Sequence, residues 1–339
     1  MKATSFDIAY RAGVSQSTVS RALRNSPLVN EETRLKIQAI AKELNYKVDK
    51  NARNLRSQQS NTLALLLFED PTSDDSQINP FFLSMLGSIT RATSSKGYDL
   101  LVSFQSMEDD WHAEYEDTNK ADGIILLGYG DYVDYKDKLV QLHEQGTHFV
   151  RWGAEVKDMD VATIGCDNNH GGLQLTKHLL DQGCKRCAFI GTASRRAPEF
   201  FDRYKGHVKA LEFAGIEADP SLQVDAISTE EAGYNATKQL LSSGAQFDSL
   251  FGASDLISFG AMRAIQEHGL NVPNDIAVVG FDDIPMANFS NPSLTTAKQD
   301  TILAGQLLVD NLLKQINNEK PSTILIPSQL IKRASSSIK

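Results

Sequence analysis

The chain has 339 residues, of which 41% are hydrophobic and 23% are charged, and a chain of this length is expected to form more than one domain. It contains no run of about eighteen apolar residues, and its first residues lack the apolar core of a secretory signal, so we predict neither a membrane-spanning helix nor a leader. We therefore expect a cytoplasmic protein with no membrane partner.

Charge is distributed unevenly along the chain, whose formal net charge is −9. The first 60 residues contain 11 Lys and Arg against 5 Asp and Glu, and the remainder contains 23 against 38. A basic module attached to an acidic body is typical of a protein that binds nucleic acid phosphates at one end.

The N-terminal residues 4–46 predict three or four short helices. Apolar side chains recur at helical spacing in the first of them, at Phe6, Ile8, Ala9 and Ala12. Gly13 ends that helix, and Ser15 or Ser17 can cap the next one through a side-chain oxygen. Asn30 begins a longer amphipathic helix. We expect Val19 and Ala22 to belong to the core.

From residue 62 onward, apolar runs of five to seven residues alternate with amphipathic stretches, several of which end at glycine. Nearly continuous apolar strands that alternate with helices indicate parallel sheets with helices on both faces. About ten such units are more than one sheet of this kind usually holds. We therefore predict two doubly wound lobes.

The N-terminal segment resembles the helix-turn-helix headpiece of the lactose repressor (LacI/GalR) family. The matching residues are Asp7, Ile8, Ala9, Ala12, Gly13, Val14, Ser15, Thr18, Val19, Ser20 and Arg21. In this motif the second helix enters the major groove while the first crosses the DNA backbone. The resemblance implies a transcription repressor that binds near-palindromic operator DNA as a homodimer.

The resemblance places base contacts at the start of the second helix, on Gln16 and Ser17, with Arg21 one turn later. Glutamine can pair with an adenine edge, and arginine can bridge guanine O6 and N7. Four other polar residues are expected to bind phosphates or cap helices: Ser15, Thr18, Ser20 and Asn25. For Ser15 and Thr18, capping alone is the alternative.

The polar, basic stretch 48–60 resembles the family's hinge, which forms a helix on operator DNA and inserts a leucine into the minor groove. By this resemblance Leu55 is the inserted residue, and Arg53 and Arg56 lie along the phosphates or the groove. The alternative is that Leu55 packs on the body. The family usually has Pro-Asn where this chain has Val48-Asp49, which leaves the start of the hinge helix open.

The body resembles the same family over residues 61–333. The motifs that carry the resemblance are Asn79-Pro80-Phe81-Phe82, Asp167-Asn168, Gly171-Gly172, Arg203 with Gly206, Ser254-Asp255, GFDDIP from Gly280, and NPSLTTAKQD from Asn291. Family members share the fold of periplasmic sugar-binding proteins, in which a ligand binds between two lobes at the carboxyl ends of the strands.

We therefore predict an α/β protein with an all-α headpiece and a periplasmic-binding-protein-like sensor of two doubly wound parallel-sheet lobes. The headpiece comprises residues 1–47 and the hinge 48–60. The first lobe comprises residues 61–165 and 294–325, and the second comprises 166–293 and 326–335.

Seven residues near strand ends are the candidate effector contacts: Phe81, Arg151, Trp152, Arg203, Ser254, Asp255 and Asp282. Aromatic faces together with carboxylate and guanidinium groups suit a mono- or oligosaccharide, and a nucleobase or nucleoside is the alternative. Trp152 could instead be a core residue at a strand end. An acidic link, residues 69–78, is longer than the corresponding link usually is in the family. It leaves open how Phe81 is presented to the cleft.

Other functional classes fit the sequence less well. A sugar-binding transport component would not need the headpiece. An enzyme would need one of the common catalytic motifs, and the sequence has no G-x-S-x-G, P-loop or zinc-ligand spacing. The pair Cys184 and Cys187 has no matching second pair, so we expect reduced thiols and neither a metal nor a cofactor. The regulated genes are expected to serve carbohydrate utilisation, whereas the effector, the sign of its effect and a dimer or tetramer stay open.

Overall fold

The computed structural model describes residues 3–46, 59–68, 79–105, 109–128, 132–155 and 161–337. Contacts divide the chain into two compact units, residues 1–60 and 61–339. Among the described helices, none combines the length and the apolar character needed to cross a membrane.

The headpiece contains three helices: α1 (Ser5–Ala12), α2 (Gln16–Leu23) and α3 (Glu31–Glu43). Thr4 caps α1 and exchanges hydrogen bonds with Asp7, and Gly13 ends the helix in the left-handed conformation at φ 71°. The Ser15 side chain caps α2, and the Asn30 side chain caps α3. Side-chain caps satisfy backbone amides that have no partner inside a helix, so these short helices have well-defined starts.

The headpiece core lies between the three helices. Val19 and Ala22 are buried in it, as predicted, together with Ile8 and Ile37. Phe6, the first residue of the apolar series in α1, is exposed, whereas Ile8, Ala9 and Ala12 of the same series are buried. An eight-residue helix has only two turns, and the neighbouring helices cover a narrower stripe than the apolar spacing suggested.

The body contains twelve described strands in two sheets. In chain order they are β1 (Thr62–Phe68), β2 (Asp99–Gln105), β3 (Ile124–Leu127), β4 (Phe149–Trp152), β5 (Thr163–Cys166), β6 (Cys187–Ile190), β7 (Gln223–Val224), β8 (Ser249–Gly252), β9 (Ala277–Asp282), β10 (Thr295–Lys298), β11 (Ile324–Ile326) and β12 (Gln329–Ile331).

The helices of the body lie against these sheets. They are α4 (Pro80–Ser95), α5 (Tyr132–Glu144), α6 (Asn168–Asp181), α7 (Pro198–Phe213), α8 (Glu230–Ser242), α9 (Asp255–Glu267), α10 (Met286–Phe289) and α11 (Thr301–Ile316). α4 packs against α11, α6 against α7, and α8 against α9.

Each sheet has six strands and forms one lobe. The strand order is β11-β5-β4-β3-β1-β2 in the first sheet and β12-β10-β9-β8-β6-β7 in the second. The pairs are parallel except for β12, which runs antiparallel to β10. Two doubly wound lobes were predicted, and the strand order confirms them.

The lobe boundary near residue 294 differs from the prediction. β10 was assigned to the first lobe, but it pairs in parallel with β9 in the second sheet, with Thr296 opposite Gly280. The chain therefore crosses to the first lobe only after Lys298. Other crossings follow β5 and β11, whose last residues are Cys166 and Ile326.

Helices α6 and α7 pack closely through two glycines. Gly172 of α6 lies directly against the backbone of Arg203, and Gly206 of α7 lies against the backbone of Asn169. A side chain at either glycine would overlap a main-chain oxygen. The two helices therefore approach each other closely only because neither position carries a side chain. This contact holds Arg203 at the edge of the second lobe.

A buried histidine on α7 predicts how stability depends on pH. His207 is buried beside the Phe189 and Tyr204 rings, and its Nδ1 lies 2.9 Å from Thr176 Oγ1. Burial lowers the pKa of His207 to about 4. Between pH 6.5 and 4 the unfolded chain therefore binds a proton that the folded chain does not, and the free energy of unfolding falls as the pH falls, by about 3 kcal/mol in total.

We expect His207→Gln to flatten this dependence. The melting temperature, measured from pH 7 to 4, should fall less steeply in the variant than in the wild type. His268→Gln is the matched control, because His268 is exposed and its removal should leave the slope unchanged. An unchanged slope in His207→Gln would show that other groups cause the acid sensitivity.

Candidate functional site

The first candidate site is the exposed face of α2. Ser17 and Arg21 are both exposed there, one turn apart. Ser15 Oγ lies 2.8 Å from Ser17 Oγ and 2.9 Å from Thr18 Oγ1, so the capping residue also connects the polar side chains of the first turn. The face presents hydroxyl groups and a guanidinium group, which are the chemical groups that read base edges and phosphates.

Three predicted DNA contacts have partners inside the headpiece. Gln16 Nε2 donates to Ser5 Oγ at 2.8 Å, which ties α2 to the start of α1. Ser20 Oγ accepts from Arg24 at 3.1 Å. Asn25 has a positive φ of 55°, and its Oδ1 accepts from Gln38 Nε2 at 2.9 Å. Each therefore has a structural role, and Gln16 must exchange its Ser5 bond to reach a base.

Tyr10, on α1, is an exposed aromatic residue that the sequence analysis did not single out. Its side chain is 90% exposed, next to Arg11, which forms an ion pair with Glu43 at 2.8 Å. α1 is the helix that crosses the DNA backbone in this motif. The sequence signal that could have identified Tyr10 was an aromatic residue on the polar side of an amphipathic helix.

The predicted hinge contacts Arg53, Leu55 and Arg56 lie outside the described residues, as do Val48-Asp49 and the acidic link 69–78. Their roles stay predictions.

The second candidate site lies at the carboxyl ends of the strands, where the two lobes face each other. Phe81 begins α4 after β1, and Trp152 ends β4; their ring centroids are 6.0 Å apart. The two side chains are only 1% and 4% exposed. The aromatic pair therefore lies at this edge of the first lobe and is continuous with its core.

Arg203 provides a positive charge at this edge of the second lobe. Its side chain is buried and its guanidinium lies 3.8 Å from the centre of the Phe281 ring. Nε donates to Asn168 Oδ1 at 2.9 Å, and Nη1 donates to the main-chain oxygen of Ala253. Nη1 also lies 3.7 Å from Asp282 Oδ1. A buried guanidinium needs such partners because burial removes its water.

Asp282 and Asp255 form a buried acidic pair next to Arg203. Burial raises the pKa of Asp282 to about 6, against the opposing effects of the Arg203 charge and a 2.7 Å hydrogen bond from Gln299. Burial, followed by the Asp282 charge, raises the pKa of Asp255 well above its usual range. Asp255 also accepts from Thr296 Oγ1 at 2.5 Å and from the Ile284 amide at 2.8 Å.

The backbone at Asp282 is unusual as well. Its φ of 116° lies in a region that side-chain-bearing residues rarely occupy, and such strain is found mostly at functional sites. Gln299, which holds the carboxylate, follows β10 on a connection between the lobes. The position of Asp282 is thus linked directly to a lobe crossing.

Ser254 belongs to a hydrogen-bonded chain between the lobes. Asn79 Nδ2 donates to Ser228 Oγ at 3.3 Å, and Ser228 Oγ donates to Ser254 Oγ at 2.9 Å. Asn79 also caps α4 by accepting from the Phe81 amide, while Ser254 caps α9. The starts of two helices from different lobes are therefore connected through Ser228.

Arg151 donates hydrogen bonds to residues of its own lobe. Nε donates to Thr163 Oγ1 at 3.1 Å, Nη2 donates to the main-chain oxygen of Ala154, and the guanidinium lies 5.7 Å from the centre of the Tyr132 ring. Ala154 in turn donates its amide to Glu199 Oε1 at 2.9 Å, and Glu199 lies in the first turn of α7 in the second lobe.

The structure thus joins six of the seven candidate effector residues in two groups and leaves Arg151 apart from them. Phe81 lies against Trp152, Arg203 lies with Asp282 and Asp255, and Ser254 lies beside Asp255; Arg151 braces the end of β4. Sequence reasoning missed Ser228, Glu199 and Gln299. The one signal for them was a polar residue in the loop or first helical turn after a strand.

The cysteines do not form a reactive site. Cys166, Cys184 and Cys187 are unbridged and buried, and burial raises the pKa of the Cys166 and Cys187 thiols to about 12. Ser249 Oγ donates to Cys187 Sγ at 2.9 Å. Within the described ranges, His, Cys, Asp and Glu side chains form no group arranged to hold a metal ion.

Comparison with known proteins matches both units. Residues 6–49 match the model of bacterial regulatory proteins of the lacI family, and residues 176–336 match the periplasmic binding protein-like domain. The HTH-type transcriptional regulator RegA of Clostridium saccharobutylicum is 32% identical over 97% of this chain and 98% of its own length.

Solved structures agree with these matches. A lac repressor dimer bound to operator and an anti-inducer superimposes with a TM-score of 0.83 at 26% identity, covering 100% of both chains. The complex of the transcriptional regulator CelR with cellobiose gives a TM-score of 0.74 at 28% identity, covering 98% of this chain and 99% of that one.

Proposed function

The chain belongs to the lacI family of bacterial regulatory proteins and is a DNA-binding transcription regulator, and we propose that a small carbohydrate between its lobes controls its affinity for operator DNA. The observation that carries this proposal is the group formed by Arg203, Asp282 and the Phe81–Trp152 pair. Aromatic faces stack on the C–H groups of a sugar, while carboxylate and guanidinium groups bind its hydroxyls.

The effector proposal has support from a relative. The CelR structure contains cellobiose, and its fold covers nearly all of this chain. The proposed regulated genes are therefore those of carbohydrate utilisation. A nucleoside is the second candidate, because the aromatic pair of Phe81 and Trp152 could also stack on a nucleobase.

On the DNA side, we propose that a homodimer presents two copies of α2 to a near-palindromic operator. Ser17 and Arg21 then read bases from the exposed face, and Gln16 exchanges its bond to Ser5 for an adenine edge. Ser15, Thr18, Ser20 and Asn25 position the headpiece, through phosphates or as caps. The proposal accounts for the basic charge of the headpiece.

Coupling between the two sites is proposed to run through the connections between the lobes. Gln299 holds Asp282 at one crossing, and the Asn79–Ser228–Ser254 chain joins the lobes at helix starts. A ligand that binds one arrangement of the lobes more tightly shifts the population toward it. The hinge then transmits that arrangement to the headpieces.

Reciprocity provides the test. A thermal-shift screen of sugars and nucleosides identifies a ligand, and calorimetry then measures its affinity with and without operator DNA at the same salt concentration. We expect operator to change effector affinity by the factor, about 5- to 150-fold, by which effector changes operator affinity. Equal effector affinity in both measurements would exclude the proposed coupling.

A hinge variant tests the minor-groove contact. Leu55→Ala should weaken operator binding by about tenfold or more and reduce the bend, since an apolar wedge holds one base step open. Fluorescence anisotropy measures the affinity and gel mobility of permuted fragments measures the bend. Gln58→Ala, in the same linker, is the control. An equal loss on operator and random DNA would count against the wedge.

A further inference from the structure

We propose that the effector is an uncharged molecule, because both arginines predicted as effector residues already have a carboxylate of this chain beside them. This inference rests on the proposed function and specifies the chemical class of ligand in that same site. It favours a free sugar over a sugar phosphate or a sugar acid.

The first compensated cation is Arg203. Its Nη1 lies 3.7 Å from Asp282 Oδ1, and both side chains are buried. Nε donates to Asn168, and Nη1 donates to the main-chain oxygen of Ala253. Because the pKa of Asp282 is about 6, the carboxyl group is mostly ionised at pH 7 and neutralises the guanidinium.

The second cation is Arg151, which has the Glu199 carboxylate of the other lobe near it without forming an ion pair with it. Gly153 separates the two charges: a Cβ placed on it would lie 2.8 Å from Glu199 Oε1 and 3.2 Å from Arg151 Nη2. Both charges also act on Tyr135. Its pKa is raised chiefly by burial, lowered by the Arg151 charge and raised by the Glu199 charge.

Each of the two arginines thus has a carboxylate of this chain close enough to offset its charge. Asp255 adds little negative charge, because burial and Asp282 favour its protonated form. A phosphate group entering this site would lose its water without gaining an uncompensated cation from either arginine, and it would face Asp282 and Glu199. Buried charges are stable only when they are paired, whereas sugar hydroxyls need hydrogen bonds alone.

Matched ligands provide the experiment. Calorimetry with the full-length protein compares ribose with ribose 5-phosphate, cellobiose with its 6-phosphate, and adenosine with AMP. For each pair in which the uncharged compound binds, we expect that compound to bind at least about tenfold more tightly than its phosphorylated counterpart. The reason is that the carboxylates would repel the phosphate, and charges interact strongly in a partly buried site.

A single variant tests the cause. Glu199→Gln keeps an oxygen that can accept from the Ala154 amide while removing the charge opposite Arg151, so the preference for the uncharged ligand should narrow by about tenfold. Glu212→Gln removes the same charge from an exposed position of α7 and should leave the preference unchanged.

The outcomes separate this inference from the proposed function. Binding of adenosine alone would overturn the carbohydrate proposal and support the uncharged ligand. Tighter binding of a sugar phosphate would overturn the inference and leave the carbohydrate proposal standing. If only phosphorylated compounds bind, or if Glu199→Gln and Glu212→Gln act alike, the inference that these two carboxylates determine the charge of the ligand is wrong.

Discussion

Replacing Arg203 with methionine should lower the free energy of unfolding of the sensor by about 3–5 kcal/mol and abolish effector binding. Methionine fills much of the same volume but leaves Asp282 without its positive partner. It also leaves Asn168 Oδ1 and the Ala253 carbonyl without the donors they have now. Removing one member of a buried charged network is costly because the other member stays in a medium with few compensating dipoles.

Urea denaturation followed by tryptophan fluorescence measures this effect. The chain has two tryptophans, Trp111 and Trp152, and both lie in the sensor, so the signal reports that unit. Because the Arg203 charge lowers the pKa of Asp282, removing the charge raises it. The deficit of Arg203→Met should therefore be largest at neutral pH, where Asp282 must be ionised or take up a proton, and smaller below about pH 6.

A double variant separates charge from packing. Asp282→Asn in the Arg203→Met background removes the uncompensated carboxylate, and we expect it to restore part of the lost stability without restoring effector binding. If Arg203→Met unfolds at the same urea concentration as the wild type, the buried pair does not stabilise the second lobe.

Replacing Arg21 with alanine should weaken operator binding by about 1–3 kcal/mol and relax the base preference at one position of each half-site. Arg21 is exposed on α2, one turn after Ser17, so its guanidinium is placed to reach a guanine edge bidentately. Loss of a base contact lowers affinity for the operator more than affinity for other sequences.

Selection from random duplexes supplies the operator, and anisotropy with single-base variants measures the change at fixed salt. Arg24→Ala is the matched control on the same helix, since Arg24 donates to the Ser20 main chain and hydroxyl. We expect Arg24→Ala to leave the ratio of operator to random affinity unchanged. A uniform loss for Arg21→Ala would instead assign Arg21 to the phosphates.

The helices of the headpiece follow from local sequence. Thr4, Ser15 and Asn30 cap the three helices, and Gly13 supplies the left-handed turn. Capping and turn formation depend on residues within three or four positions of one another. The exposure of Phe6 does not follow from local sequence, because burial depends on which side of α1 the neighbouring helices cover.

Strand pairing is decided at longer range. The motif NPSLTTAKQD contains β10, but the membership of this strand in the second sheet depends on its pairing with β9. The order of apolar and polar residues does not specify which sheet a strand joins, so the lobe boundary was predicted too early in the chain.

In the cleft, the sequence by itself determined the family, the two lobes and the candidate effector residues, including Arg203 and Asp282, because periodicity and motif spacing are properties of short segments. Only the tertiary structure decided how each arginine is compensated. Asp282 and Glu199 lie far along the chain from Arg203 and Arg151, and the interaction of two charges depends on their separation in space and on the water excluded around them. The second candidate site was thus predictable as a set of residues, whereas its charge, and with it the proposed class of effector, depends on the fold.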